Sequence, residues 1–255
     1  PFSIFQECLL GISEMATMLR YNVLITTSNA HDISELQSLV ESNRVDGMLL
    51  TRALEDDRAL QYLSQANFPT ALTGTCRYDN IIQVDTDNEG AAEKMTTLLI
   101  GKGFRRFAFL VKDMSYNVDR KRHEGFCRAL IKNGISEKDQ LFYNGSIRME
   151  FLDAIIENII SKKVECIICG DDEICTMVMS RLQAEGYRIP KDVAIASLYN
   201  STNLDCYSPA VTAVSVAASQ MGGTAVRQLI QRLRGENYEK KTMLDYDILF
   251  RKSTN

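Results

Sequence analysis

Residue types that support many kinds of chemistry are scarce in this chain. Its 255 residues contain no tryptophan, four prolines and only two histidines, His31 and His123. Neither histidine has neighbours at metal-ligand spacing, so the sequence predicts no metal site and no histidine-based catalysis. No glycine-rich phosphate loop lies between a strand and a helix, which disfavours a nucleotide cofactor. We therefore expect the chain to work without a cofactor.

Long apolar runs and an excess of positive charge are also missing. No stretch of 18 apolar residues is present, so we expect no membrane contact. Lys and Arg number 29 against 33 Asp and Glu, a formal net charge of −4. DNA-binding domains are usually basic, so contact with DNA through this segment alone is not expected. The hydrophobic share of 45% and the length predict one large or two modest globular domains.

The cysteines indicate in which cellular compartment the protein resides. There are seven, an odd number, and most lie within apolar runs, where a free thiol behaves as a small hydrophobic group. A secreted protein tends to pair its cysteines, so the sequence predicts a cytoplasmic protein. Cys166 and Cys169 fall within one predicted strand and point to opposite faces, which excludes a shared metal or a redox pair. Pro1 and Phe2 look like a cut inside a longer gene product.

Hydrophobic periodicity predicts an alternation of strands and helices from end to end. Continuous apolar strands of this kind, each followed by a helix, are typical of parallel sheets covered on both faces, so the predicted fold class is α/β. The predicted strands are 23–27, 47–51, 69–73, 81–84, 106–111, 141–143, 166–169, 193–197 and 244–250. The predicted helices are 3–20, 32–41, 56–65, 87–101, 119–133, 149–161, 172–185 and 217–234.

The strand and helix units form two successive sets with a break near residues 112–118. This arrangement predicts two similar, doubly wound parallel-sheet subdomains. In open α/β sheets, ligands bind at the carboxyl ends of the strands. Two such sheets that face one another would hold a ligand in the cleft between them.

Two polar groups stand at positions where such a cleft would lie. Asp171, Asp172 and Glu173 follow a predicted strand and begin a helix, where an acidic residue either caps the helix or contacts a ligand. Both roles remain open for Asp171. Arg120, Lys121 and Arg122 open a helix just past the break, where they form a solvated helix face or supply a cleft-facing Arg that clamps a ligand carboxylate or hydroxyl.

Catalysis has little support in the sequence. No Ser, His and Asp set or Cys and His pair stands at a suitable position, and nothing supplies a tuned general base. A small metal-dependent α/β enzyme built on Asp171 and Asp172 would need a third ligand that is missing. We therefore predict that the chain is not an enzyme.

Several segments resemble, in order and over the whole chain, the LacI/GalR family of bacterial transcription regulators. No single segment is specific, but the ordered set is. The segments are VDGMLL at 45–50, VDTDNEGA at 84–91, LLIGKGFRRFAF at 98–109, RHEGF at 122–126 with AL at 129–130, DD at 171–172, GYRIPKDVAI at 186–195 and SPAVTAV at 208–214.

The resemblance implies the family's effector-binding domain, which is similar to periplasmic sugar-binding proteins. Two subdomains would be joined by three crossovers, with residues 1–111 and 217–236 in the first subdomain and 112–216 and 237–255 in the second. A helix-turn-helix headpiece, which precedes this domain in the family, is absent from the chain. A first β-strand ahead of Pro1 is expected to be missing as well.

The resemblance also implies ligand-binding residues: Phe2, Thr75, Arg122, Asp171 and Tyr199. Arg122 stands at the position of an effector-contacting Arg and Phe2 at that of a cleft aromatic. The other three replace residues that are common at these positions in the family. Much of the set of carboxylates and amides that would bind sugar hydroxyls is therefore missing. A sugar is therefore disfavoured, and Tyr199 and Arg122 suit a flatter or anionic ligand.

The function implied by the resemblance is regulation of transcription by a small molecule. Effector binding in the cleft would change the operator DNA affinity of a headpiece outside this chain, and the regulator would be a homodimer on a pseudo-palindromic operator. The alternative is an exported periplasmic-type solute-binding protein, which shares the fold. Seven cysteines argue against export.

Overall fold

Two parallel-stranded sheets with helices on both faces make up the protein. The computed structural model describes residues 3–27, 32–145, 147 and 149–255. The predicted α/β class is confirmed. Over these residues, every helix is too short or too polar to cross a membrane.

The described residues form the following elements in chain order: α1 (Ser3–Met18), α2 (Ser34–Glu41), β1 (Met48–Leu50), α3 (Arg58–Gln65), β2 (Thr70–Thr73), β3 (Ile82–Thr86), α4 (Asn88–Gly101), β4 (Phe107–Val111), α5 (Asn117–Lys132), β5 (Leu141–Asn144), α6 (Met149–Ser161), β6 (Cys166–Cys169), α7 (Asp172–Ala184), β7 (Ala194–Ser197), α8 (Thr202–Cys206), β8 (Thr212–Val216), α9 (Ala218–Leu233), β9 (Lys241–Leu244) and β10 (Tyr246–Leu249). Two short 3₁₀-helices lie at Glu137–Asp139 and Lys252–Thr254.

The first subdomain is built on a four-stranded sheet in the order β1-β2-β3-β9, with all strands parallel. Helices α1 and α9 cover one face, where Cys8 and Ile12 pack with Val226 and Ile230. Helices α2 and α3 pack against the sheet through Leu36, Ala59 and Leu63. Both faces of the central strands β2 and β3 are thus buried, although β3 carries the polar residues Gln83 and Asp85 and the edge strand β9 is partly exposed.

The second subdomain contains six strands in the order β10-β8-β7-β6-β4-β5. Only β10 runs antiparallel to its neighbour among the described strands. Helices α4 and α5 cover one face and α6 and α7 the other. Cys166 belongs to the first of these packed layers and Cys169 to the second, so the prediction that they point to opposite faces is confirmed.

The chain passes between the subdomains three times, as the resemblance implied: between β3 and α4, between β8 and α9, and between β9 and β10. The predicted boundaries are wrong in two places. Strand β4 pairs with β5 and β6, and α4 packs on the same layer, so the first subdomain ends near residue 86 and not at 111. Strand β9 pairs with β3, so residues 241–244 belong to the first subdomain.

The predicted strand at 23–27 does not form. These residues have no ladder partner, and the side chains of Leu24 and Ile25 are each 62% exposed. An apolar segment becomes a strand only when a neighbour pairs with its backbone, and among the described residues no strand occupies the outer edge of β1. Strand β8 and helix α8 were not predicted. The predicted strand 244–250 corresponds to β10, whereas β9 of the other sheet, which ends at Leu244, was not predicted as a separate strand.

Candidate functional site

The carboxyl ends of the two sheets meet at the boundary between the subdomains, and we call this region the cleft. The loop after β1, Thr75 after β2 and Asp85 in β3 contribute from the first subdomain. Lys112 after β4, Asp171 after β6 and Tyr199 after β7 contribute from the second. This is the edge at which α/β sheets bind ligands, because loops and helix N-termini converge there.

Arg122 belongs to the second subdomain and lies where that subdomain meets the first. It lies on α5, whose packing against the second sheet leaves the residue only 6% exposed. Its Nη1 donates a hydrogen bond to the Gly170 carbonyl oxygen at 2.6 Å, and its Nε donates to Asn88 Oδ1 at 3.1 Å. Asn88 begins α4 directly at the first crossover. The guanidinium is therefore fixed by two groups of the second subdomain, one of them next to the first crossover.

Carboxylates surround this guanidinium. Burial lowers the pKa of Arg122, and the charges of Asp119, Asp171 and Asp85 oppose that effect. Burial raises the pKa of Asp119, which Arg122 partly offsets. Burial also raises the pKa of Asp85 to about 6, although Thr86 N–H and the Asn88 amide donate to its Oδ1. The positive charge of Arg122 is thus already balanced inside the protein.

Asp171 caps a helix, which is one of the two roles predicted for it. Its Oδ1 accepts from the Ile174 N–H at 2.9 Å at the start of α7. Its Oδ2 lies 2.7 Å from Lys112 Nζ, which also pairs with Glu173 Oε2 at 2.5 Å. Both carboxylate oxygens are thus engaged, and the carboxylate faces Arg122 from the second subdomain.

Tyr199 is enclosed between the subdomains and is only 1% exposed. Its hydroxyl donates to Glu7 Oε2 on α1 at 3.4 Å. Its main chain is held by Ser197, whose Oγ donates to the Tyr199 carbonyl at 2.6 Å. The phenol thereby links the end of β7 to a helix of the first subdomain.

Thr75 contacts the opposite subdomain through its main chain. Its carbonyl oxygen accepts from Asn117 Nδ2 at 2.9 Å. Phe2, the fifth residue implied by the resemblance, lies outside the described residues. The structure therefore brings Arg122, Asp171 and Tyr199 to one place and puts Thr75 at the cleft margin.

Four further residues of the cleft were not predicted from the sequence: Glu7, Asp85, Asn88 and Asn117. Asp85 and Asn88 stand in the VDTDN segment that carried part of the resemblance, and their position at the first crossover could have indicated them. Asp87 of the same segment caps α4 by accepting from Gly90 N–H at 2.8 Å. Glu7 and Asn117 carry no local signal, since each contacts a partner distant in sequence.

Comparison with known proteins identifies the domain. Residues 96–254, more than half of the chain, match the family described as periplasmic binding protein-like domain. The chain belongs to this family. The chain is 25% identical over 257 aligned positions to catabolite control protein A of Priestia megaterium, covering 98% of this chain and 77% of that protein.

Two solved structures show the same fold. A transcription regulator like protein from Staphylococcus haemolyticus has a TM-score of 0.90 and 27% identity, covering 99% of this chain and 92% of that one. The complex of the transcriptional regulator CelR with cellobiose has a TM-score of 0.88 and 25% identity, covering 99% and 79%. The periplasmic binding protein-like domain is thus the effector-binding domain of a LacI-family transcription regulator, and not an exported solute-binding protein.

Proposed function

We propose that a small-molecule effector binds in the cleft beside Arg122 and Tyr199 and thereby changes the affinity of the whole regulator for operator DNA. The observation that carries this proposal is that both side chains lie where the subdomains meet. The Tyr199 hydroxyl bonds to Glu7 of the first subdomain, and the Arg122 guanidinium lies within reach of the charge of Asp85 in β3. A molecule that inserts there must change how the subdomains are oriented. It can shift that equilibrium only by its differential affinity for the two orientations.

The charges around Arg122 narrow the chemistry of the effector. Three aspartates already face the guanidinium, which also donates to Gly170 and Asn88. An additional anion would have to displace one of these partners. We therefore favour a neutral ligand with hydroxyl or amide groups over the anionic ligand that the sequence suggested. The similar regulator CelR has been solved in complex with cellobiose, which is a neutral ligand.

The remaining parts of the proposal concern the intact regulator. A headpiece outside this chain would contact the operator, and a homodimer would match the symmetry of a pseudo-palindromic site. Coupling between effector and operator is typically about 1–3 kcal/mol, or about 5–150-fold in affinity. We further propose that the regulator is cytoplasmic and that the cleft performs no catalysis.

A thermal-shift experiment tests effector binding, with cellobiose as a neutral probe and benzoate as a flat anionic one. A ligand at 100 times its dissociation constant adds about 2.7 kcal/mol of stability, so a bound probe raises Tm by several degrees. We expect the neutral probe to give the larger shift. We also expect Tyr199→Phe, which removes only the hydroxyl, to reduce that shift.

The matched control is Tyr143→Phe, which removes a hydroxyl that accepts from Asn158 outside the cleft. This variant should respond to the probe as the parent does. Equal losses in both variants would show that the cleft is not the binding site. A larger shift with benzoate would contradict the charge argument.

A further inference from the structure

A second set of contacts joins the subdomains at the cleft margin. The Glu55 N–H donates to the Ser115 carbonyl at 3.0 Å, and the Asn117 N–H donates to the Ala53 carbonyl at 3.1 Å. Between them, Leu54 and Tyr116 form an antiparallel bridge. Residues 52–55 follow β1 of the first sheet, whereas 115–117 follow β4 of the second. We call these two segments the strap.

Side chains reinforce the strap. Asn117 Nδ2 donates to the Thr75 carbonyl at 2.9 Å, and Asn117 Oδ1 accepts from Arg120 Nη2 at 2.7 Å. Arg120 also forms an ion pair with Glu55 at 2.8 Å. The Arg52 guanidinium lies 4.8 Å from the centre of the Tyr116 ring. Asn117 therefore supports the strap in both directions, toward the first subdomain and along its own helix.

Each segment of the strap is already shaped within its own subdomain. The Leu54 N–H donates to Asp57 Oδ2, and Asp57 also caps α3 by accepting from Leu60 N–H. On the other side, the Ser115 N–H donates to Asp113 Oδ1, and the Asp113 N–H donates to Asp119 Oδ2. Segments that are held in place before they meet lose little conformational entropy when they pair. The entropy cost of pairing the two segments is therefore small, whether or not a molecule is bound.

We propose that the strap is a latch that holds the cleft closed when no effector is present. Main-chain hydrogen bonds between 53–55 and 115–117 set the balance between closed and open orientations, and Asn117 is the positioning residue that aligns them. A ligand then enters the cleft only while the strap is open. This inference goes beyond the proposed function, because it concerns the ligand-free protein and its test uses no effector.

Amide hydrogen exchange on the ligand-free chain tests the latch. The Glu55 and Asn117 amides have their acceptors in the opposite subdomain, so they exchange only when the strap opens. We expect both to be protected roughly 100-fold or more relative to an unstructured peptide. In Asn117→Ala, the Glu55 amide should lose about tenfold of that protection, although the substitution lies in the other subdomain.

Two internal references keep the result interpretable. Amides of Ala71 in β2 and Ile168 in β6 report the folding of the two sheets and should stay protected in every variant. Asn133→Ala removes a side-chain amide that donates to Ala129 at the far end of the same helix, and should leave Glu55 unchanged. Unprotected Glu55 and Asn117 amides beside protected sheets would overturn the proposal. So would a Glu55 amide that is indifferent to Asn117→Ala.

Discussion

At the scale of single residues, the carboxyl of Asp85 has a pKa well above its ordinary value. It stands at the end of β3 among Arg122, Asn88 and Thr86. Burial raises its pKa from 3.8 to about 6, which means that desolvation outweighs the nearby positive charge and two donated hydrogen bonds. The folded protein therefore binds this proton more tightly than the unfolded chain does.

This pKa shift makes stability depend on pH in a defined direction. The contribution of Asp85 to the free energy of unfolding is fully present below about pH 4. It is lost as the pH rises through about 6, because the pKa of Asp85 is higher in the folded protein than in the unfolded chain. A shift of about two units corresponds to about 3 kcal/mol. We expect Asp85→Asn, which stays neutral, to be destabilising or neutral near pH 4 and stabilising relative to the parent near pH 7.5.

Urea denaturation of both proteins at pH 4.5 and 7.5 measures this difference. Asp56→Asn is the control, because it removes the same charge from a side chain that is 88% exposed. Its stability should follow the parent at both pH values. If the free energies of unfolding of Asp85→Asn and the parent differed by a constant amount, Asp85 would not be the titrating group.

At the scale of elements, the closest helix packing is between α1 and α9. A Cβ at Gly11 would lie 1.9 Å from the Ser219 carbonyl oxygen, and one at Gly222 would lie 2.2 Å from that of Cys8. Each helix thus contributes a glycine where the other's backbone passes. The missing side chains allow this pair to cover the face of the first sheet as one layer, with Val226 and Ile230 packed below α1.

Two glycine substitutions should therefore have opposite effects. Gly11→Ala forces the helices apart and should cost about 1–3 kcal/mol, the usual range for overpacking. Gly101→Ala lies in the last turn of α4 with nothing within 4 Å of the new methyl group, and should stabilise by about 0.5–1 kcal/mol. Chemical denaturation of each variant and of the parent measures whether the free energy of unfolding falls or rises. Equal and small effects would contradict the close approach of α1 and α9.

At the scale of the whole molecule, the subdomains are interleaved along the chain. The first combines residues before α4 with α9 and β9, and the second combines α4 to β8 with β10 and the last 3₁₀-helix. Ser253 in that helix is fully buried. Its Oγ donates to the Ile195 carbonyl at 2.7 Å and accepts from the Thr212 N–H at 2.8 Å. This 3₁₀-helix is thus hydrogen-bonded to strands β7 and β8 of the second sheet.

This interleaving predicts that both subdomains unfold together. Ser253→Ala leaves two buried backbone groups without partners and should cost about 2–4 kcal/mol. We expect a single calorimetric transition whose Tm falls by several degrees, with amides of both sheets affected equally. Ser161→Ala, at an exposed hydroxyl bonded to Asn158, should leave Tm nearly unchanged. Two resolved transitions in Ser253→Ala would show that the subdomains unfold independently.

The sequence by itself determined the local elements and the family. Apolar periodicity predicted α1, α6 and β6 within a few residues, because the pattern depends only on which face a residue presents. Cys166 and Cys169 fell on opposite faces for the same reason. Asp171 could be proposed as a site residue because it directly follows a strand, at the sheet edge where loops meet, whereas Arg122 was proposed through the family resemblance.

Tertiary structure alone decided which sheet each strand joins and which groups meet in the cleft. Strand β4 looks like its neighbours in the first half of the chain but pairs with β6, and residues 23–27 are apolar yet form no strand. A segment forms a strand only when another backbone segment pairs with it, and that segment is often distant in the sequence. The bonds from Asn117 to Thr75 and from Tyr199 to Glu7 likewise exist only because folding brings remote segments together.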